Sequence, residues 1–199
     1  LQKLLSFGTW FIFFALVEHM GELPIAVYGI VRSVYMLVMI PVFAFGATAN
    51  TLTSRLIGEG KQNEVMPTVF KTIGQGLIAI LPVLLCCLFI PHTVLSIYTD
   101  DLVLADASIP SLLVICCASI AMSFGIPLFE AVSGTGNTTN ALILESVVLI
   151  AYTFSVWFFA SYISTRVEWV WTSEFTYGTL IGLVSWLFMR FASWQRKKI

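Results

Sequence analysis

An all-α membrane protein of six transmembrane helices is the fold class this sequence predicts, and three observations predict it. Only 11% of the 199 residues are charged and 58% are hydrophobic, whereas a soluble domain carries about 25% charged residues. Lys and Arg number 10 against 11 Asp and Glu, a formal net charge of −1, which excludes a basic field able to hold nucleic acid. Long apolar runs fill the chain between short clusters of charge, glycine, proline and asparagine. At roughly 20 apolar residues per crossing, about six or seven spans fit this length, and a water-soluble globule is ruled out.

The breaks between runs give six helices within a single unit spanning residues 1–199. The first covers about residues 4–20 and stops at Gly21. The second, about 24–57, contains Pro41 and ends at Gly58-Glu59-Gly60-Lys61. A third covers about 64–90, up to Pro91, with another turn or two over His92 to Thr99. The fourth, about 101–133, contains Pro110 and Pro127 as expected kinks; the fifth, about 137–163, follows Gly134-Thr135-Gly136. The last covers about 168–194, and Trp194 there reads as an interfacial aromatic before the basic Arg196-Lys197-Lys198. Spans longer than the hydrocarbon needs are expected to tilt or to extend beyond it.

Basic residues collect on the cytoplasmic side of membrane proteins. With the first helix starting there, that side holds Lys3, Arg55, Lys61, Lys71, Arg190, Arg196, Lys197 and Lys198, eight of the ten. The opposite side holds Glu22, Asp100, Asp101 and Glu168, with Tyr98, Trp169 and Trp171 as interfacial anchors. The expectation is a multi-pass protein of the plasma (inner) membrane with its C-terminus in the cytoplasm. The start at Leu1, without a basic leader, reads as a chain entered midway.

Ionisable side chains inside hydrocarbon cost about 2.5–3.5 kcal/mol each on insertion scales, so each one retained needs a partner, a cavity or a role. Glu130 follows Pro127 in the fourth helix, and Ser119 and Ser123 share its face. Glu145 lies about two turns into the fifth helix, with Tyr152 one heptad on. A short-stemmed carboxylate in such a setting can exchange a proton near neutral pH or hold a cation. Arg32 sits inside the second helix with Tyr28 and Tyr35 on its face, and reads as a counter-ion to one of the acids, a binder of anionic headgroups or a structural ion pair. Glu18 and Glu174 lie nearer the membrane surface, where snorkelling to water and a functional role are equally open. The candidate pathway therefore comprises Glu130, Glu145, Arg32, Tyr152, Glu18 and Glu174.

Other patterns lead to bland readings. Cys86-Cys87 and Cys116-Cys117 are vicinal pairs in apolar runs and read as packing residues. Gly134-Thr135-Gly136 has no strand before it and no phosphate-binding lysine after it, so nucleotide binding has no support. His19 and His92 are too few and too isolated for a metal site. Gly178 and Gly182, four apart, are expected to let a neighbouring helix of the same chain approach closely. No residue grouping carries enzyme chemistry, and no cofactor is expected.

Several segments resemble the multidrug and toxic compound extrusion (MATE) transporters. Gly21-Glu22-Leu23-Pro24 through Arg32-Ser33-Val34, Met39-Ile40-Pro41, Asn50-Thr51-Leu52 and Leu56-Ile57-Gly58-Glu59-Gly60-Lys61 are similar to their seventh and eighth helices. Phe129-Glu130-Ala131-Val132-Ser133-Gly134-Thr135-Gly136-Asn137-Thr138 resembles the loop between their tenth and eleventh, and Val170-Trp171-Thr172-Ser173-Glu174 the start of their twelfth. The resemblance implies the C-terminal six-helix lobe of a twelve-helix, two-lobe antiporter that exports small organic cations or drugs in exchange for sodium ions or protons. Its implied partners are the N-terminal lobe and the bilayer. Sodium-coupled members carry a carboxylate well inside the first helix of this lobe, where this chain has Ser6, Thr9 and Trp10. A lipid-linked oligosaccharide flippase of the same superfamily and a non-transporting membrane scaffold are the alternatives.

Overall fold

The computed structural model describes residues 2–162, 166–192 and 194. Among them are seven α-helices: α1 (Gln2–Glu18), α2 (Glu22–Gly58), α3 (Val65–Phe89), α4 (Pro91–Leu95), α5 (Leu102–Gly134), α6 (Thr138–Tyr162) and α7 (Val167–Phe191). The seventh helix beyond the expected six is α4, a five-residue piece that begins at Pro91, as proline favours a helix start and cannot continue one. Asp101 caps α5, its carboxylate accepting from the backbone N–H groups of Val103 and Leu104. Pro41 lies inside α2 and Pro110 and Pro127 inside α5, and both helices run on through them.

By length and composition, four segments can cross a membrane: Glu22–Gly58, Gln62–Phe89, Leu102–Gly134 and Thr138–Tyr162. Two of the six helices the sequence reads as spans, α1 and α7, are not among these four described segments. The described apolar part of α1, Gly8–Glu18, is short. Helix α7 is as long as α6, but glutamates and hydroxyl residues punctuate its first half, because that half faces the protein interior. Large apolar side chains such as Ile78, Phe89, Ile150 and Phe154 point outward, the arrangement of a bundle whose solvent is lipid.

Helix α5 is the hub, packed most extensively against α7 on one side and α2 on the other. Helix α3 backs onto α2 and α5, while α6 lies beside α7 and α1 joins α6 to α2. The order α2–α5–α7–α6–α1 thus closes a ring. Lipid chains are as apolar as Leu, so these helices associate through close packing more than through water expulsion. The α5–α7 seam shows how: a Cβ on Gly125 would strike the carbonyl oxygen of Gly178, and one on Gly178 would come within 2.9 Å of the Met122 backbone N. Gly178 and Gly182 therefore serve contact within the chain.

Two tryptophans differ from the interfacial reading. Trp171 is fully buried among Phe13, Tyr28 and Tyr35, with ring centroids 5.1–5.7 Å apart. Trp194 is also buried, its indole N–H donating to the Met189 carbonyl at 2.8 Å. The basic residues Arg196, Lys197 and Lys198, the expected helix end at Ile163 and the side chains of Lys3 and Ser6 lie outside the described residues.

Candidate functional site

The ring of helices encloses a cavity of about 680 Å³, lined from α1, α2, α5, α6 and α7 but not from α3. Among the described residues its wall carries nine aromatic side chains, three methionines, three carboxylates and one cation. The carboxylates are Glu130, Glu145 and Glu174; the cation is Arg32. Five of the six candidate residues, these four and Tyr152, thus meet on one surface. Glu18 does not: it is exposed at the last residue of α1, where a carboxylate reaches water directly.

Glu174 sits two turns into α7 and is 3% exposed. Each of its oxygens receives a phenol: Tyr35 of α2 donates to Oε2 at 2.8 Å and Tyr152 of α6 donates to Oε1 at 2.6 Å. One carboxylate therefore ties together three helices that otherwise stand around the cavity. The snorkelling reading of Glu174 fails, because a carboxylate near the end of its helix is turned inward by the register of α7 against α5. Tyr152 also meets Tyr177 edge-on at 5.6 Å.

Glu130 lies one turn before the end of α5, half-buried, and accepts from the Asn50 amide N–H at 2.9 Å. Close approach of α2 and α5 makes that bond possible. A Cβ on Gly134 would lie 2.6 Å from the Asn50 carbonyl, and Ser54 Oγ donates to the Gly134 carbonyl at 2.9 Å. Glu145 is 4% exposed and sits seven residues before Tyr152 on α6. At the rise of a helix those seven residues span about 10 Å, so Glu145 and the Tyr-clamped Glu174 occupy different levels of the cavity.

Arg32 is not the counter-ion or the ion-pair partner of any described acid. Its guanidinium lies over the Trp10 ring, 5.1 Å from the centroid, and it makes no ion pair among the described residues. Trp10 in turn stacks on Tyr35, with centroids 6.4 Å apart and planes 10° from parallel. Tyr35, Asn50 and Trp10 are the site residues that the search for acids passed over. The signal for Tyr35 was present, since it falls on the face of Arg32 at i+3; Asn50 offered none beyond being an amide in an apolar run.

Comparison with known proteins agrees with this architecture. The MatE family profile matches residues 1–158. A crystal structure of a MATE transporter in complex with MaL6 superposes with a TM-score of 0.84 at 18% identity, covering 95% of this chain and 43% of the other. The outward-facing conformation of a multidrug resistance MATE family transporter of the MOP superfamily gives the same TM-score, identity and coverage. A MOP superfamily transporter from Pyrococcus furiosus, whose binding pocket is described as reversed in polarity, gives 0.85 at 19% identity, covering 99% of this chain and 45% of the other. The chain thus spans less than half the length of these solved transporters, and no curated protein sequence matches it. With a profile match over most of its length, on a fold shared with solved transporters, the chain belongs to the MATE family of multi-pass membrane transporters.

Proposed function

We propose that this chain acts as the C-terminal half of a secondary active multidrug or organic cation efflux antiporter, driven by a sodium or proton gradient. The observation that carries this reading is the cavity itself: aromatic faces and three carboxylates converge from five helices on about 680 Å³, a volume suited to a drug-sized ligand. Aromatic faces attract a cation by about 0.5–2 kcal/mol each when desolvated, and a carboxylate supplies the opposite charge. Among the described residues, anionic ligands find one cation there against three acids, which places the flippase reading second. An N-terminal lobe would close the open side, and rocking of the two lobes would alternate access. A carboxylate that gives up its proton or ion as the substrate arrives couples the two fluxes. The distribution of basic residues supports a plasma-membrane protein with its C-terminus in the cytoplasm.

Glu130 and Glu145 are the proposed coupling groups, whereas Glu174, held at both oxygens, favours a fixed role in the wall. The test is gradient-driven efflux from liposomes by the complete transporter carrying Glu130→Gln or Glu145→Gln. Loss of about tenfold or more in at least one variant is expected. Undiminished flux in both would remove these residues from the mechanism, and absence of gradient-dependent flux in the unaltered transporter would favour the scaffold reading.

A further inference from the structure

We infer that Arg32 is a tethered competitor for the cation seat of the cavity, and so sets which cations the cavity admits. The inference rests on the cavity taking organic cations, as proposed above. The Trp10 ring lies nearly parallel to that of Tyr35, with centroids 6.4 Å apart, and the Arg32 guanidinium lies over the Trp10 ring at 5.1 Å. Guanidinium, Trp10 and Tyr35 form one stacked group, anchored by the Tyr35 bond to buried Glu174. Such a stack is a seat for a planar cation, and it is already filled.

Three further facts support competition rather than structure. Arg32 is exposed on the cavity side of α2, not packed between helices. It is the single cationic side chain of the lining among the described residues, and although the same wall carries three carboxylates it lies over the ring instead. Gly29, one turn before it on α2, has nothing within 4 Å of where a Cβ would stand, so the flexible arginine stem has room to swing away when another cation takes its place. A ligand that binds only when the seat is vacant has its dissociation constant divided by the vacant fraction, which weakens its binding. Cations that stack better than a guanidinium, such as extended aromatic ones, displace it; small or strongly hydrated ones do not.

The test uses the full 199-residue chain in lipid nanodiscs, with ethidium as probe and its own fluorescence anisotropy as readout. Wild type binds ethidium, and Arg32→Gln binds it about three- to thirtyfold more tightly, the range of one cation–π contact. Arg32→Lys keeps the charge but stacks less well, and falls between the two. The gain from Arg32→Gln disappears when Trp10→Leu is already present. An equal gain in the Trp10→Leu background means that Arg32 acts only by charge repulsion and overturns the inference. So does wild-type binding that is unchanged or weakened in Arg32→Gln. If neither wild type nor Arg32→Gln binds ethidium, the organic-cation reading falls, and this inference with it.

Discussion

Along α7, the face toward α5 and the face toward the cavity solve helix association in opposite ways. Toward α5, side chains are deleted: Gly125, Gly178 and Gly182 let the two backbones touch, and nothing larger than hydrogen fits between Gly125 and the Gly178 carbonyl. Toward the cavity, side chains are enlarged, and α7 reaches α2 and α6 across rings, through the Tyr35–Glu174–Tyr152 clamp. A seam of the first kind cannot open gradually. A wall of the second kind leaves space that a ligand can fill, and its helices can shift once the clamp lets go.

The largest effect that would break this contrast comes from the seam. Gly178→Val forces a branched side chain against the Met122 and Ala121 backbone, and is expected to destabilise the fold by about 3 kcal/mol. Gly29→Val, on the same kind of helix but with nothing within 4 Å, should leave thermal stability in detergent nearly unchanged. Equal melting temperatures for the two variants would mean that the seam is not close-packed.

Next come the clamp residues. Tyr35→Phe and Tyr152→Phe each remove one donor from a buried carboxylate, and each should cost about 1.5–3 kcal/mol. Because both phenols share Glu174, the two losses should not add, with a coupling of at least about 0.5 kcal/mol in a double-mutant cycle. Independent, additive losses would show that the three helices are not held through one group.

A smaller effect is expected where α2 meets α5. Asn50→Ala removes the N–H donor to Glu130 and should cost about 1 kcal/mol in unfolding measurements.

The smallest concerns the turn after α2, outside the spans. Lys61 and Arg55 hold the Glu59 carboxyl below its ordinary value of 4.5, and Glu59 holds the Lys61 ammonium above 10.5. The carboxyl's contribution to stability is therefore present above pH 4.5 and lost as the pH falls through its depressed value; that of the ammonium is present below 10.5 and lost above it. Melting temperature should be flat from about pH 5 to pH 9 as far as this turn is concerned. Lys61→Ala should leave it unaltered, since exposed pairs contribute little.

Much of the fold was legible because the signals were local. Gly21, the Gly58-Glu59-Gly60-Lys61 turn, Pro91 and the Gly134-Thr135-Gly136 turn interrupt apolar runs, and the helices stop near each. Glu130, Glu145, Arg32, Glu174 and Tyr152 stood out because polarity inside an apolar run is costly, and all five line the cavity. Glu18 and Trp171 went the wrong way for one reason. Distance along a helix from its end says how near the membrane surface a residue is, but not whether it turns inward. Glu18, the last residue of α1, faces out, while Trp171 and Glu174, within the first turns of α7, are buried.

Composition and the placement of breaks were enough to determine the solvent, the helical class and which residues needed explaining, because the energy of a group in hydrocarbon depends on that group and its immediate neighbours. Partnership was decided only in three dimensions. Tyr35 and Glu174 are 139 positions apart, and Arg32 turned to a ring of α1 rather than to any acid. Such pairings depend on how helices rotate and slide against one another, and that is set by the glycine seams of α5, the one feature whose effect lies in the side chains it lacks.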